Sequence, residues 1–153
     1  MEIKINIDSK YEQPVITIQT NEMTTELERV LLCLKNSKTN HVRIFGTEED
    51  QTFILQPSEI DYFYSENRKT FARTKHTQYE VNMNLTTLES HLTNHYFARF
   101  SKSVVGNVNQ IKRFELSFNG NLCVYFHSGN REYVSKKYVR ALKESLLNGG
   151  TNE

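Results

Sequence analysis

The densest grouping of chemically capable side chains lies between Phe97 and Ile111. There Arg99, Ser101, Lys102 and Ser103 precede a β-branched pair, Val104-Val105, and a polar turn expected at Gly106-Asn107. Two cations and two hydroxyls beside a stiff strand suit an anionic polymer, because cations and hydroxyls hold phosphate oxygens while the strand presents them to a groove. A second basic grouping, Lys136-Lys137 with Arg140, lies near the end of the chain. Lysine at an element boundary can donate to guanine O6 and N7 and is more adaptable there than arginine.

The overall charge of +1 hides a division. Residues 1–60 carry 6 basic and 10 acidic side chains, whereas residues 61–153 carry 13 and 8. Between residues 95 and 143 the count is 9 against 2. Such asymmetry points to an anionic partner for the basic part, although a solvated basic surface has the same signature.

Other chemistry finds little support. No phosphate-binding glycine loop, nucleophile elbow or His-Glu-x-x-His motif is present. His91 and His95 stand four apart without a third ligand nearby, and the only aspartates are Asp8, Asp50 and Asp61. Neither an enzyme nor a cofactor or metal is therefore expected. Cys33 and Cys123 read as two reduced thiols. The alternating start and the lack of a long apolar run argue against a signal peptide and a membrane span, so a cytoplasmic protein is expected. A hydrophobic content of 37% in 153 residues allows one good core.

The elements that must position the basic groups read as follows. Glu2–Ile7 and Val15–Ile18 alternate or branch like strands. Thr25 and Glu28 have capping-box spacing before a helical stripe of Leu27, Val30, Leu31 and Leu34. Asn36–Asn40 is a loop. Strands are expected at His41–Phe45, Gln51–Leu55, Ile60–Tyr64, Thr70–Thr74 and Tyr79–Met83, with Gly46–Asp50 and Ser65–Lys69 as loops and Pro57-Ser58 as a break. Asn84–Leu92 reads as a helix, with a capping box at Thr86 and Glu89. Asn119-Gly120 between two alternating runs signals a type I′ hairpin, and Ser128–Asn130 a further turn. Ser135–Leu147 closes as a helix with Val139, Leu142 and Leu146 on one face, stopped by Gly149-Gly150. Tyr62, Phe63, Phe97, Phe100, Phe114 and Phe126 are expected in the core. The division is thus residues 1–40 as a β-β-α extension, 41–148 as the main domain and 149–153 as a flexible tail.

In this order, several landmarks resemble the LytTR DNA-binding domain, in its small stand-alone type without a receiver. Phe97-Ala-Arg-Phe-Ser-Lys-Ser-Val-Val-Gly-Asn107 is similar to the family's Phe-x-Arg-x-His-Arg-Ser-x-x-Val-Asn motif. Pro57–Phe63, the helix at Asn84–Leu92, Ile111, the Asn119-Gly120 hairpin and Tyr133–Val139 complete the set. The resemblance implies a mostly β (α+β) fold of elongated sheets whose loops, not a recognition helix, enter successive major grooves of double-stranded DNA. It places base reading near Lys69 or Thr70, on Lys102 and on Lys137. Arg68, Arg99, Ser101, Lys136 and Arg140 are then candidates for phosphate. Arg99 equally suits a structural ion pair, and Lys136 and Arg140 a solvated helix face. Ser103 and Asn107 suit turn support. Ser101 and Gly106 depart from the motif, which has His and Val there, so a different specificity is expected.

The expected function is a sequence-specific transcriptional regulator. Many family sites are paired direct repeats, which suggests a homodimer. Residues 1–40 are expected to pack on the main domain or on a second chain through the Leu27, Val30, Leu31 and Leu34 stripe, and an unidentified signalling partner is also expected. The alternatives are a β-rich protein–protein interaction module that uses exposed sheet edges and an RNA-binding β-domain.

Overall fold

The computed structural model describes residues 5–13, 15–36 and 42–148. The start of the expected first strand, most of the 36–40 loop, and the 149–153 tail with its Gly149-Gly150 stop lie outside them. The chain divides into two units, residues 1–39 and 40–153.

In the first unit the helix α1 spans Thr25–Asn36, and Leu27, Val30, Leu31 and Leu34 are its least exposed positions. Its cap is Thr24, one residue earlier than expected. The Thr24 hydroxyl accepts from the Leu27 N–H at 3.2 Å, and the Thr24 carbonyl from the Glu28 N–H at 2.9 Å. Glu26 and Glu28 then sit where the helix dipole favours negative charge. The two expected strands do not form over residues 5–7 and 15–18. Ile5, Ile7, Val15 and Ile16 are largely exposed. β-branched residues favour a strand only against a neighbour that completes the ladder, and none pairs with them among the described residues.

The second unit is built on a seven-stranded antiparallel sheet. Its strands are β1 (Ile44–Glu48), β2 (Gln51–Leu55), β3 (Ile60–Glu66), β4 (Lys69–Thr74), β5 (Gln78–Val81), β6 (Phe97–Ser101) and β7 (Val104–Asn107), in the order β2-β1-β5-β4-β3-β7-β6. The helix α2 (Leu85–His91) packs on β3, β6 and β7. A three-stranded sheet of β8 (Ile111–Leu116), β9 (Leu122–Phe126) and β10 (Arg131–Val134) follows, and α3 (Lys136–Asn148) ends the unit.

Two cores share the strands in the middle. Phe63, Val105 and Phe97 join Leu85, Leu88 and Leu92 of α2 in one core. Val104 and Phe100 join Leu122, Val124, Phe126, Val134 and Leu142 in the other, with Tyr62 and Tyr64 packed against it. Adjacent residues of β3 and β7 therefore point into opposite cores, as period-2 alternation requires. The two sheets are also tied by buried Asp61 on β3, which accepts from the Ser128 hydroxyl and from the Asn130 amide at 2.8 Å.

Several expected boundaries move. Gly46 lies inside β1 because a Cβ there would sit 2.6 Å from Tyr79 Cβ and 2.7 Å from Leu55 Cδ1. The turn falls at Glu49-Asp50, both at positive φ (45° and 63°), which is the twist a two-residue hairpin needs. α2 is capped by Asn84, whose side chain accepts from the Thr87 N–H at 2.8 Å, and not by Thr86. Gly106-Asn107 is buried strand, and the turn before it is Lys102-Ser103. Asn119 and Gly120 adopt the expected positive φ (70° and 78°), but in a longer loop closed by the Ser117 N–H donating to the Asn121 carbonyl. Phe114, expected in the core, is 46% exposed, because β8 is an edge strand beyond its cover.

Gly106 explains one departure from the motif. A Cβ at this position would collide with the Phe100 ring, so the aromatic at 100 occupies the space that a side chain at 106 would need. Gly106→Val should cost about 1–3 kcal/mol by overpacking, seen as a lower urea midpoint with an unchanged slope. Adding Phe100→Leu should recover part of that loss; strict additivity of the two changes would contradict this packing.

Candidate nucleic-acid interface

The basic groupings converge on one end of the seven-stranded sheet. Glu66 pairs with Lys69, so the β3–β4 loop is only Asn67-Arg68, both at positive φ (51° and 63°). This primed turn pushes the exposed Arg68 to the tip. Lys69 and Thr70 are the first residues of β4, and Lys69 Nζ lies 3.6 Å from Glu80 Oε2. Ser101 pairs with Val104, so Lys102-Ser103 forms the next tip.

Two backbone hydrogen bonds set these tips side by side with α3. The Ser65 N–H donates to the Ser103 carbonyl at 3.0 Å, joining the first tip to the second. The Ser135 N–H donates to the Phe100 carbonyl at 2.8 Å, which holds the start of α3 against the end of β6. The Lys136 N–H donates to Asn121 Oδ1 at 3.0 Å, so a side chain from the β8–β9 loop satisfies one of the helix's free amides. The result is a row: Arg68 and Lys69, then Lys102, then Lys136 and Lys137, then Arg140. The seven-stranded sheet places the two tips two strands apart, on the order of 10 Å. Arg68, Lys102 and Lys136 have no ion-pair partner among the described residues. Lys137 Nζ lies 5.4 Å from the centre of the Tyr138 ring, and Arg140 makes an exposed 3.4 Å pair with Glu144. That pair adds little in water and leaves the guanidinium accessible.

Two expected phosphate contacts are differently engaged. The Arg99 side chain is only 16% exposed; its Nε pairs with Glu89 Oε2 at 3.0 Å. Its Nη1 donates to the Lys102 carbonyl at 3.3 Å and its Nη2 to the Thr86 hydroxyl at 3.4 Å. Arg99 thus links α2 to the underside of the Lys102 turn. The Ser101 hydroxyl accepts from the Ser103 N–H at 3.2 Å and braces the same turn. Asn107 is 2% exposed and donates to the carbonyls of Pro57 (3.2 Å) and Ile60 (3.0 Å), fixing β7 against the start of β3.

Sequence reasoning missed three contributors. Glu89 and Asn121 act through partners that no local pattern reveals. Lys143 was visible, since Lys136, Arg140 and Lys143 recur at helical spacing. With Gly120, Val139, Glu144 and Leu147 they line a shallow groove of about 400 Å³ along α3.

The sequence profile described as the LytTr DNA-binding domain matches residues 50–147. Uncharacterized HTH-type transcriptional regulators from two strains of Staphylococcus aureus are 25% and 23% identical over 146 residues, covering 95% of this chain and 98% of theirs. A solved LytTr DNA-binding domain, from a Bacillus cereus protein described as a methyl-accepting/DNA response regulator, superposes with a TM-score of 0.64. That match has 21% identity and covers 68% of this chain and 95% of the other.

If Arg99 is a support, Arg99→Met should lower stability by about 1–2 kcal/mol through the lost charged hydrogen bonds and speed amide exchange at Lys102 and Ser103. Unchanged exchange in that turn would remove the supporting role.

Proposed function

The chain belongs to the LytTr DNA-binding domain family, and from that premise we propose a sequence-specific transcriptional regulator that reads double-stranded DNA along this basic row. The observation that carries the reading is the pair of hydrogen bonds, Ser65 to Ser103 and Ser135 to Phe100, that bring three sequence-distant basic groups to one end of the sheet. Lys102, Lys137 and the Lys69-Thr70 pair take the base-reading roles. Arg68, Lys136 and Arg140 hold phosphates, which gives affinity and register without sequence information. Lys69 must exchange Glu80 for DNA, a small cost for an exposed pair.

The relatives' names refer to a helix-turn-helix, which needs two helices joined by a short turn. Here α2 and α3 are separated by β6 to β10. The reading elements are accordingly two hairpin tips and the first turn of a helix. The family is a DNA-binding and not an enzymatic kind, and we extend that to a chain without catalysis that acts in the cytoplasm. Among the described residues no helix is long and apolar enough to cross a membrane. The exposed Ile5, Ile7, Val15 and Ile16 of the first unit offer a surface for a signalling partner.

Binding to duplexes from the chain's own upstream region, measured across a salt series, tests the reading. Lys102→Ala and Lys137→Ala should each cost about 1–3 kcal/mol on the preferred site and relax its sequence preference. Arg68→Ala and Arg140→Ala should weaken all duplexes alike and reduce the salt slope by about 1. Salt-independent binding, or full affinity in the double Lys102→Ala/Lys137→Ala variant, would refute it. Deleting residues 1–40 should leave affinity for a single site intact while abolishing the response to a partner.

A further inference from the structure

The apolar face of the three-stranded sheet runs one strand past its cover. Leu122 and Val124 of β9 are fully buried, whereas their cross-strand neighbours Leu116 and Phe114 on β8 are 69% and 46% exposed. β8 is an edge, and nothing pairs with its outer side among the described residues. Edges of this kind are normally shortened, bulged or covered. Here a bulge at Lys112 interrupts only one end, leaving Arg113–Leu116 regular and exposed. On the opposite face Arg113 and Glu115 are already ordered. Arg113 Nη1 lies 3.4 Å from Glu115 Oε2, the guanidinium sits 3.6 Å from the centre of the Tyr125 ring, and the Tyr125 hydroxyl donates to Glu115 Oε1 at 2.6 Å.

We propose that β8 pairs antiparallel with β8 of a second copy of this chain, centred on Phe114. Two identical antiparallel strands are related by a two-fold axis that passes through one residue pair, and opposed side chains must face the same side. Charge and overlap select the centre, since centring on Leu116 would pair β8 mainly with residues beyond its end. Centring on Arg113 or on Glu115 sets like charges directly opposite, which destabilises a pair. Centring on Phe114 sets Arg113 against the partner's Glu115 and Glu115 against the partner's Arg113. The carboxylate has lone pairs enough for its own Arg113, Tyr125 and the added cation. The two Phe114 rings then meet on the uncovered apolar face, and each Leu116 meets the alkyl stem of the partner's Lys112. The contact is isologous, so it closes at two copies. It uses none of the residues assigned to DNA.

Sedimentation velocity of the full chain over a concentration series tests the pairing. The wild type should show a monomer–dimer equilibrium. Arg113→Glu and Glu115→Arg should each be monomeric at every concentration, because each opposes like charges across the axis. An equal mixture of these two variants should regain the dimer, since each then meets its opposite charge in the other. That recovery also shows that both variants are folded. A wild type that stays monomeric, an Arg113→Glu variant that dimerises like the wild type, or a mixture that remains monomeric would each overturn the proposal. Binding of a single-site duplex by the same variants reports on DNA reading alone, so the two readings fail separately.

Discussion

Burial of β3 and β7 on both faces is the constraint on which the rest depends. Phe63 and Val105 fill one core, while Tyr62, Tyr64 and Val104 face the other. A one-residue slip in β3 would exchange its sets and drive tyrosine hydroxyls into the α2 core. The pairing Phe63 with Val105 is therefore strongly specified. Asn107 reinforces it from below with its two bonds to backbone carbonyls. Because this register is fixed, the turns at Asn67-Arg68 and Lys102-Ser103 must emerge at the same end, and the basic row follows from the packing of apolar side chains beneath it.

Much of this frame was legible from alternation and turn residues. Nearly every strand of the main unit was placed to within a few residues, as were α2 and α3. What failed depended on contacts across the fold. Gly46 reads as a turn residue, but its missing Cβ serves a close approach to Tyr79. Glu49 and Asp50 carry no glycine signal, yet they turn because the strands on either side dictate it. Val15–Ile18 has good strand chemistry without a ladder partner. Phe114 alternates like a core residue, and only the strand order reveals that it lies on an edge.

The site divides in the same way. Lys102 and Lys137 are visible as basic residues at element boundaries, and both lie on the exposed row. The ion pair of Arg99 was one of two readings its sequence position allowed, whereas the brace from Ser101 was not visible. An arginine looks the same in sequence whether it faces solvent or pairs with Glu89, ten positions away on a neighbouring helix. The space shared by Phe100 and Gly106 is of this kind too: each looks like an unrelated deviation until the ring is seen over the glycine.

The turn at Lys102 separates presentation from content. Its backbone is held by Arg99, by the Ser101 hydroxyl and by the hydrogen bond to Ser65, none of which involves the Lys102 side chain. Exchanging that side chain would therefore leave the loop in place. If Lys102 reads DNA as proposed, selection can retune such a tip in a single step, and duplicated copies of the gene could diverge in the sites they recognise while sharing one framework. Drift at Arg99 or Ser101 has no such freedom, because it disorders the platform for every side chain placed upon it.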